Sequence, residues 1–199
     1  MRFETGTEAD ALLAAAGCTV TGDSIVRIPR AVVERALSTV ARGTKLWNRD
    51  GTSSLSIDSE HTWFMPGMTC IKVFDLETGE PRDSTGADLA AITRVADGLP
   101  NIDAVCVACK DVPNSNMKGE IGEFAIMAAN TTKPLEYLCE FSESFRAAIA
   151  MAAAIRGSRE ALREKPYFLH IITPLPLFYA ETHIEQIIEG ARAGIPLSV

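Results

Sequence analysis

The sequence predicts an α/β fold in which helices alternate with parallel strands, and three observations carry that prediction. Apolar runs of strand length, "AVCVAC" (104–109), "LEYLC" (135–139), "YFLHIIT" (167–173) and "IPLSV" (195–199), recur roughly 30 residues apart, the repeat of a βαβ unit. Between them lie segments of helical period, such as "DSTGADLAAITRVADGL" (83–99), with apolar residues at 89, 92, 95, 96 and 99. The strands are apolar on both faces, as parallel strands covered by other elements are. No G-x-G-x-x-G links a strand to a helix, so a dinucleotide-binding doubly wound sheet loses ground to a closed barrel. The expected architecture is a partial (β/α)8 barrel, its first half with about four parallel strands over residues 83–199. An extension of helices and β-hairpins over residues 1–82 precedes it.

Taken in order, residues 8–16 read as a short Ala/Leu-rich helix stopped by Gly17, and "VRIPRAVVERALSTVA" (26–41) as a second, with Pro29 pre-set for its first turn. Between Lys45 and Pro81, β-prone runs are punctuated by Asp50-Gly51, Pro66-Gly67 and Thr78-Gly79, which predicts a meander of hairpins. The 83–99 helix opens on capping residues. Helices over 119–130, 142–157 and 180–194 then separate the four strands. A complete (β/α)8 barrel takes roughly 250 residues, so these four strands are expected to be half of one. Their last strand would leave an apolar edge, and self-association into a homo-oligomer is expected.

The bulk properties narrow the function. A length of 199 residues with 47% apolar and 23% charged residues supports a real core and excludes wholesale disorder. The net charge of −7, without any block of Lys or Arg, argues against nucleic acid or an anionic membrane as partner. No stretch reaches membrane-spanning length and the N-terminus does not read as a signal peptide. Five cysteines without framework spacing fit reduced thiols, so a cytoplasmic location is expected.

Candidate chemistry is sparse. Cys106 and Cys109 form a C-x-x-C, but in a strand positions i and i+3 point to opposite faces. The pair therefore reads as strand packing; a site-lining Cys109, a metal site and a redox pair are the alternatives. His61 and His183 read as solvated. His170 sits inside a strand and would point either inward toward a ligand or outward beneath a helix. Motifs of serine hydrolases, zincins and P-loop proteins are absent. What remains is the set just past the strand C-terminal ends, where (β/α)8 active sites are built: Cys109, Lys110 and Asp111, then Glu140 and Phe141, then Thr173, with His170 below. Trp47, Trp63, Phe64 and Phe74 read as packing of the meander, or as an aromatic surface for a quaternary ammonium.

Several stretches in order, "RIPRAVVERAL" (27–37), "WNRDG" (47–51), "DLETGEPR" (75–82), "ADLAAITRVADGLPNID" (87–103), "KDVP" (110–113), "NTTKP" (130–134) and "ARAGIP" (191–196), resemble the trimethylamine methyltransferase family. These are corrinoid-protein-dependent methyltransferases that include glycine betaine methyltransferases. The resemblance spans nearly the whole chain. It implies a (β/α)8 barrel and transfer of a methyl group from a methylated amine, such as trimethylamine or glycine betaine, to the cobalt of a partner corrinoid protein docked over the barrel mouth. No cofactor would then be bound by the chain itself, because the corrinoid comes with the partner. Members acting on trimethylamine carry pyrrolysine in the later half of the barrel, so no catalytic residue is carried over to this sequence. The alternative from the residues is a non-catalytic half-barrel that pairs its open edge with a second copy. A Schiff-base lyase would need Lys110 or Lys133 inside the mouth.

Overall fold

The computed structural model describes residues 1–4 and 7–199. The chain opens with β1 (Arg2–Phe3), α1 (Thr7–Ala15), β2 (Thr19–Val20), β3 (Val26–Arg27) and α2 (Arg30–Thr39). β2 and β3 form a small antiparallel pair that the sequence reading placed partly inside the second helix. That helix begins later than expected because Pro29 is its extended N-cap, φ −62° and ψ 147°, and not part of its first turn. Two further hairpins follow, β4 (Thr44–Trp47) with β5 (Ser54–Ile57), and β6 (Lys72–Phe74) with β7 (Pro81–Asp83). They turn at Asp50-Gly51 and Thr78-Gly79, with Gly51 and Gly79 at φ +72° and +74°, where a Cβ would be strained. The third expected turn, Pro66-Gly67, makes no hairpin, and residues 58–69 form no regular strand.

From residue 86 the alternation is regular: α3 (Gly86–Gly98), β8 (Val105–Cys106), α4 (Met117–Asn130), β9 (Leu135–Tyr137), α5 (Ser142–Arg156), α6 (Arg159–Glu164), β10 (Phe168–Ile171), β11 (Phe178–Tyr179), α7 (Glu181–Ala193) and β12 (Leu197–Ser198). The short α6, started by Ser158, whose Oγ accepts from the Ala161 N–H at 3.0 Å, escaped the periodicity reading. So did β11, which pairs in parallel with β1 at the other end of the chain.

β8, β9, β10 and β12 form one sheet, entirely parallel and in chain order. Parallel strands laid down in order need crossovers, which are right-handed, and a constant direction of travel puts every crossover helix on the same face. The packing agrees: α3 lies beside α4, α4 beside α5, and α5 beside α7. Between this row of helices and the sheet lies the core. Phe124 meets Tyr137 and Phe168 edge-on at 5.1 and 5.2 Å, and Phe145 stacks on His170 at 4.0 Å. All five of these side chains are fully buried.

Of the first strand only two residues keep regular pairing, fewer than the 104–109 run suggested. The Ala108 N–H turns back to the Cys106 carbonyl at 2.7 Å, which kinks the chain at Val107. Beyond the kink, Cys109 pairs in parallel with Cys70 of the extension. At the opposite end the β4–β5 hairpin docks on the strand N-termini, with Trp47 N–H on the Pro166 carbonyl and Arg49 N–H on the Thr132 carbonyl. The guanidinium of Arg156 ties this corner together by donating to the carbonyls of Asn48, Arg49 and Lys165 at 2.7–3.1 Å. Trp47 thus belongs to the N-terminal end of the sheet, its ring covered by the Lys165 ammonium at 4.5 Å, while Phe64 and Phe74 are exposed.

Candidate functional site

Register and pleat assign each sheet residue to a face. Leu135, Tyr137, Phe168 and His170 point into the helix layer, so their neighbours Glu136, Leu169 and Ile171 point to the opposite face. Cys106 is level with Glu136, and Ser198 with Ile171. Leu135, Tyr137, Phe168 and His170 are fully buried, whereas Glu136, Leu138, Leu169 and Ile171 are half-buried. The face without helices is thus an apolar wall around a single carboxylate. Among the described residues, no hydrogen-bond donor or cation meets the Glu136 carboxylate, and burial alone raises its pKa. Cys106 donates to the Pro66 and Gly67 carbonyls at 3.2 Å, and burial followed by the nearby Glu136 pushes its thiol up to about 12.

Above this wall, at the strand C-termini, Thr173 is exposed and lines a cavity of about 480 Å³ with Ile171, Pro174, Leu177, Tyr179 and Val199. Parallel pairing brings the other expected residues to the same end of the sheet, but not into that cavity. Lys110 folds back onto α4, its Nζ 2.6 Å from the Glu123 carboxylate, whose other oxygen accepts the Asp111 N–H at 2.9 Å. Asp111 accepts from the Asn114 side-chain amide at 2.9 Å. One turn earlier on α4, Glu120 accepts the N–H groups of Glu140 and Phe141 at 2.9 and 3.3 Å. Both side chains of that pair stand in solvent at the start of α5. The two buried acids of α4 therefore hold the loops that leave β8 and β9.

Cys106 and Cys109 have different surroundings, with the kink at Val107 between them. Cys109 lies among helix-layer neighbours, where burial and then Asp88 raise its thiol to about 11. The chain Arg82–Asp88–Thr85 closes that corner: Arg82 donates two 2.8 Å bonds to Asp88, which also accepts the Thr85 N–H at 2.9 Å. The guanidinium, with these hydrogen bonds, holds the Asp88 carboxyl well below the usual range.

His170 takes the outward of its two expected orientations. Its Nδ1 lies 3.0 Å from the Tyr137 carbonyl and its Nε2 3.0 Å from the Gln186 side-chain amide, whose other end reaches the Cys139 carbonyl at 3.3 Å. Burial lowers the His170 pKa from the ordinary 6.5 against the opposing pull of these hydrogen bonds. In the unfolded chain the ring takes up its proton at about pH 6.5, while the folded ring stays neutral to lower pH. The unfolded state then binds more protons, so stability is full above that pH and falls as the solution is acidified. Urea unfolding between pH 7.5 and 5.5 should show this slope, and His170→Gln should flatten it. A His170-dependent gain in stability on acidification would contradict the assignment.

Glu136, Glu120 and Glu123 were missed by the sequence reading. Glu136 is the only charge in the apolar run "PLEYLC", and Glu120 and Glu123 sit three apart in "GEIGEF", the spacing that puts both on one helix face.

The sequence profile of the trimethylamine methyltransferase family matches residues 1–199, the whole chain. The chain belongs to the trimethylamine methyltransferase family. Trimethylamine methyltransferase MttB of Desulfitobacterium hafniense is 32% identical over 178 residues, covering 88% of this chain and 36% of the relative. MttB of Methanosarcina barkeri is 29% identical over 192 residues, covering 92% and 38%. MttB2 of Methanosarcina mazei is 30% identical over 187 residues, covering 88% and 37%. The chain thus spans somewhat over a third of the length of these family members. Among its described residues, no helix is long and apolar enough to cross a membrane.

Proposed function

We propose that this member of the trimethylamine methyltransferase family is the substrate-binding first half of a (β/α)8 methyltransferase that moves a methyl group from a methylated amine to the cobalt of a partner corrinoid protein. The family supports the reaction class, and the order of the parallel strands, with α3, α4, α5 and α7 in one row, supports the barrel. The observation that carries the substrate class is the sheet face away from these helices, where the half-buried Leu138, Leu169 and Ile171 flank Glu136, which has no polar partner among the described residues. A quaternary or tertiary methylammonium presents apolar methyl groups around one positive charge. An apolar wall with a single carboxylate complements both features, and Glu136 gains the counter-charge that its surroundings lack.

The corrinoid, when its carrier docks over the strand C-termini, supplies the cobalt nucleophile that accepts the methyl group. The tasks left to this chain are to bind the ammonium, aim one methyl toward the mouth and exclude water. The loop-holding pairs Lys110–Glu123 and Glu120 with the N–H groups of Glu140 and Phe141 keep that mouth in shape.

The test uses the full-length protein with a corrinoid protein reduced to cobalt(I), following methylcobalt formation by visible absorption across trimethylamine, glycine betaine and related amines. Methylation from at least one amine is expected, and Glu136→Gln should raise KM for it more than it lowers kcat, because a ground-state contact is removed. No methylcobalt across the panel would overturn the reaction class. An unchanged KM in Glu136→Gln would overturn the carboxylate's role alone.

A further inference from the structure

Two cysteines that are far apart in sequence become strand neighbours. Cys70 and Cys109 are directly paired in parallel: the Cys70 N–H donates to the Ala108 carbonyl at 3.1 Å, and the Lys110 N–H donates to the Cys70 carbonyl at 2.9 Å. Such a pair has both side chains on the same face. Neighbouring strands lie about 4.8 Å apart, inside the roughly 4.4–6.8 Å between Cα atoms that a disulfide spans. The arrangement is firmly held. Ser84 Oγ donates to the Cys70 and Lys110 carbonyls at 3.2 and 2.7 Å, tying both strands together. Thr69, just before Cys70, sits at φ +56°, a left-handed conformation that a β-branched residue adopts only under constraint from its surroundings. It is locked there by its N–H on the Val107 carbonyl at 2.7 Å. The two thiols also differ in access: Cys70 is exposed, whereas Cys109 is buried.

We propose that Cys70 and Cys109 are a thiol pair that oxidises reversibly to a disulfide, stapling the N-terminal extension to the end of the first parallel strand. Exposed Cys70, as its thiolate, attacks one sulfur of a low-molecular-weight disulfide such as oxidised glutathione, whose S–S bond breaks to release one thiol. Cys109 then gives up its proton and attacks the Cys70 sulfur, and the second small thiol leaves. The two protein thiols are oxidised by two electrons and one small disulfide is reduced to two thiols, so atoms and electrons balance. Burial raises the Cys109 thiol, which makes the second step the slow one. The staple would end one residue before Lys110, so oxidation fixes the loop whose other anchor is Glu123.

The test treats the reduced protein with oxidised glutathione, then unfolds and alkylates it. Of the five cysteines, two should become protected, and a tryptic map without reductant should contain a linked peptide two hydrogens lighter than its parts, whose fragmentation places the bond at Cys70 and Cys109 and the alkyl group at Cys106. Excess dithiothreitol should restore all five thiols. Cys109→Ser should trap Cys70 as a lasting glutathione adduct, Cys70→Ser should abolish protection of Cys109, and Cys18→Ser should change nothing. Because Cys70 is exposed, Cys70→Ser keeps the proposal testable even where the buried substitution fails to fold. A stable Cys70 adduct with Cys109 still alkylated in the wild-type protein, or a 70–106 linkage, would overturn the pairing.

Discussion

Replacing Lys110 by methionine should lower the unfolding free energy by about 3–5 kcal/mol, the cost of leaving one member of a buried ion pair without its partner. The Lys110 side chain is 16% exposed and that of Glu123 2%, with 2.6 Å between the charged atoms. Without the ammonium, Glu123 retains only the Asp111 N–H as a donor among the described residues, and a carboxylate so placed is strongly destabilised. The double variant Lys110→Met with Glu123→Leu should recover much of the loss, since an apolar pair of similar volume is often neutral to stability. Urea unfolding of the wild type, Lys110→Met, Glu123→Leu and the double variant gives the coupling directly. If the double variant proves no more stable than the single one, the pair is not the source of the loss. The same substitution should release the loop after β8, and hydrogen exchange at Asp111 would report that release.

The second large effect is expected at Phe145. Its ring is fully buried, stacked at 4.0 Å and 19° on His170 and edge-on to Phe168 at 6.3 Å. Phe145→Ala should cost about 3–5 kcal/mol, combining lost transfer energy with the cavity left between α5 and β10. Phe145→Leu, nearer in volume, should cost less than about 1.5 kcal/mol. The cavity would also let water reach His170, so the alanine variant should show a weaker dependence of stability on pH than the wild type. Thermal unfolding on a pH series checks both effects. A cost under about 1 kcal/mol would mean that the helix layer is not packed as described.

Much of the fold was legible because parallel strands and amphipathic helices each repeat a physical period. The runs at 135–139 and 167–173 and the helices at 119–130, 142–157 and 180–194 hold their predicted places to within a few residues. What escaped were elements whose partners are remote or whose signal is short. β1 depends on β11, about 175 residues away in sequence, and the six residues of α6 are too few to show a period. Pro66-Gly67 carries a hairpin signature, yet the chain there runs along β8, where the Pro66 and Gly67 carbonyls take the Cys106 thiol.

The site was legible only as a location. That loops after parallel strands gather at one end of the sheet follows from topology alone, so Lys110, Asp111, Glu140, Phe141 and Thr173 could be placed there by sequence. Which way a side chain turns depends on what is packed above it. His170 is drawn beneath the helices because Gln186 of α7 and the Tyr137 carbonyl meet both of its nitrogens. Lys110 is drawn there by Glu123. Glu136, the one charge in its apolar run, lies on the opposite face because pairing with Cys106 and Leu169 fixes its pleat.

The sequence by itself therefore determined the class of fold, the alternation of its elements and the family, since these rest on local periodicity and ordered motifs. The tertiary structure alone decided which face each polar side chain occupies and which cysteines are neighbours. Register and burial are set by strand partners that lie tens of residues away, and no local pattern encodes them.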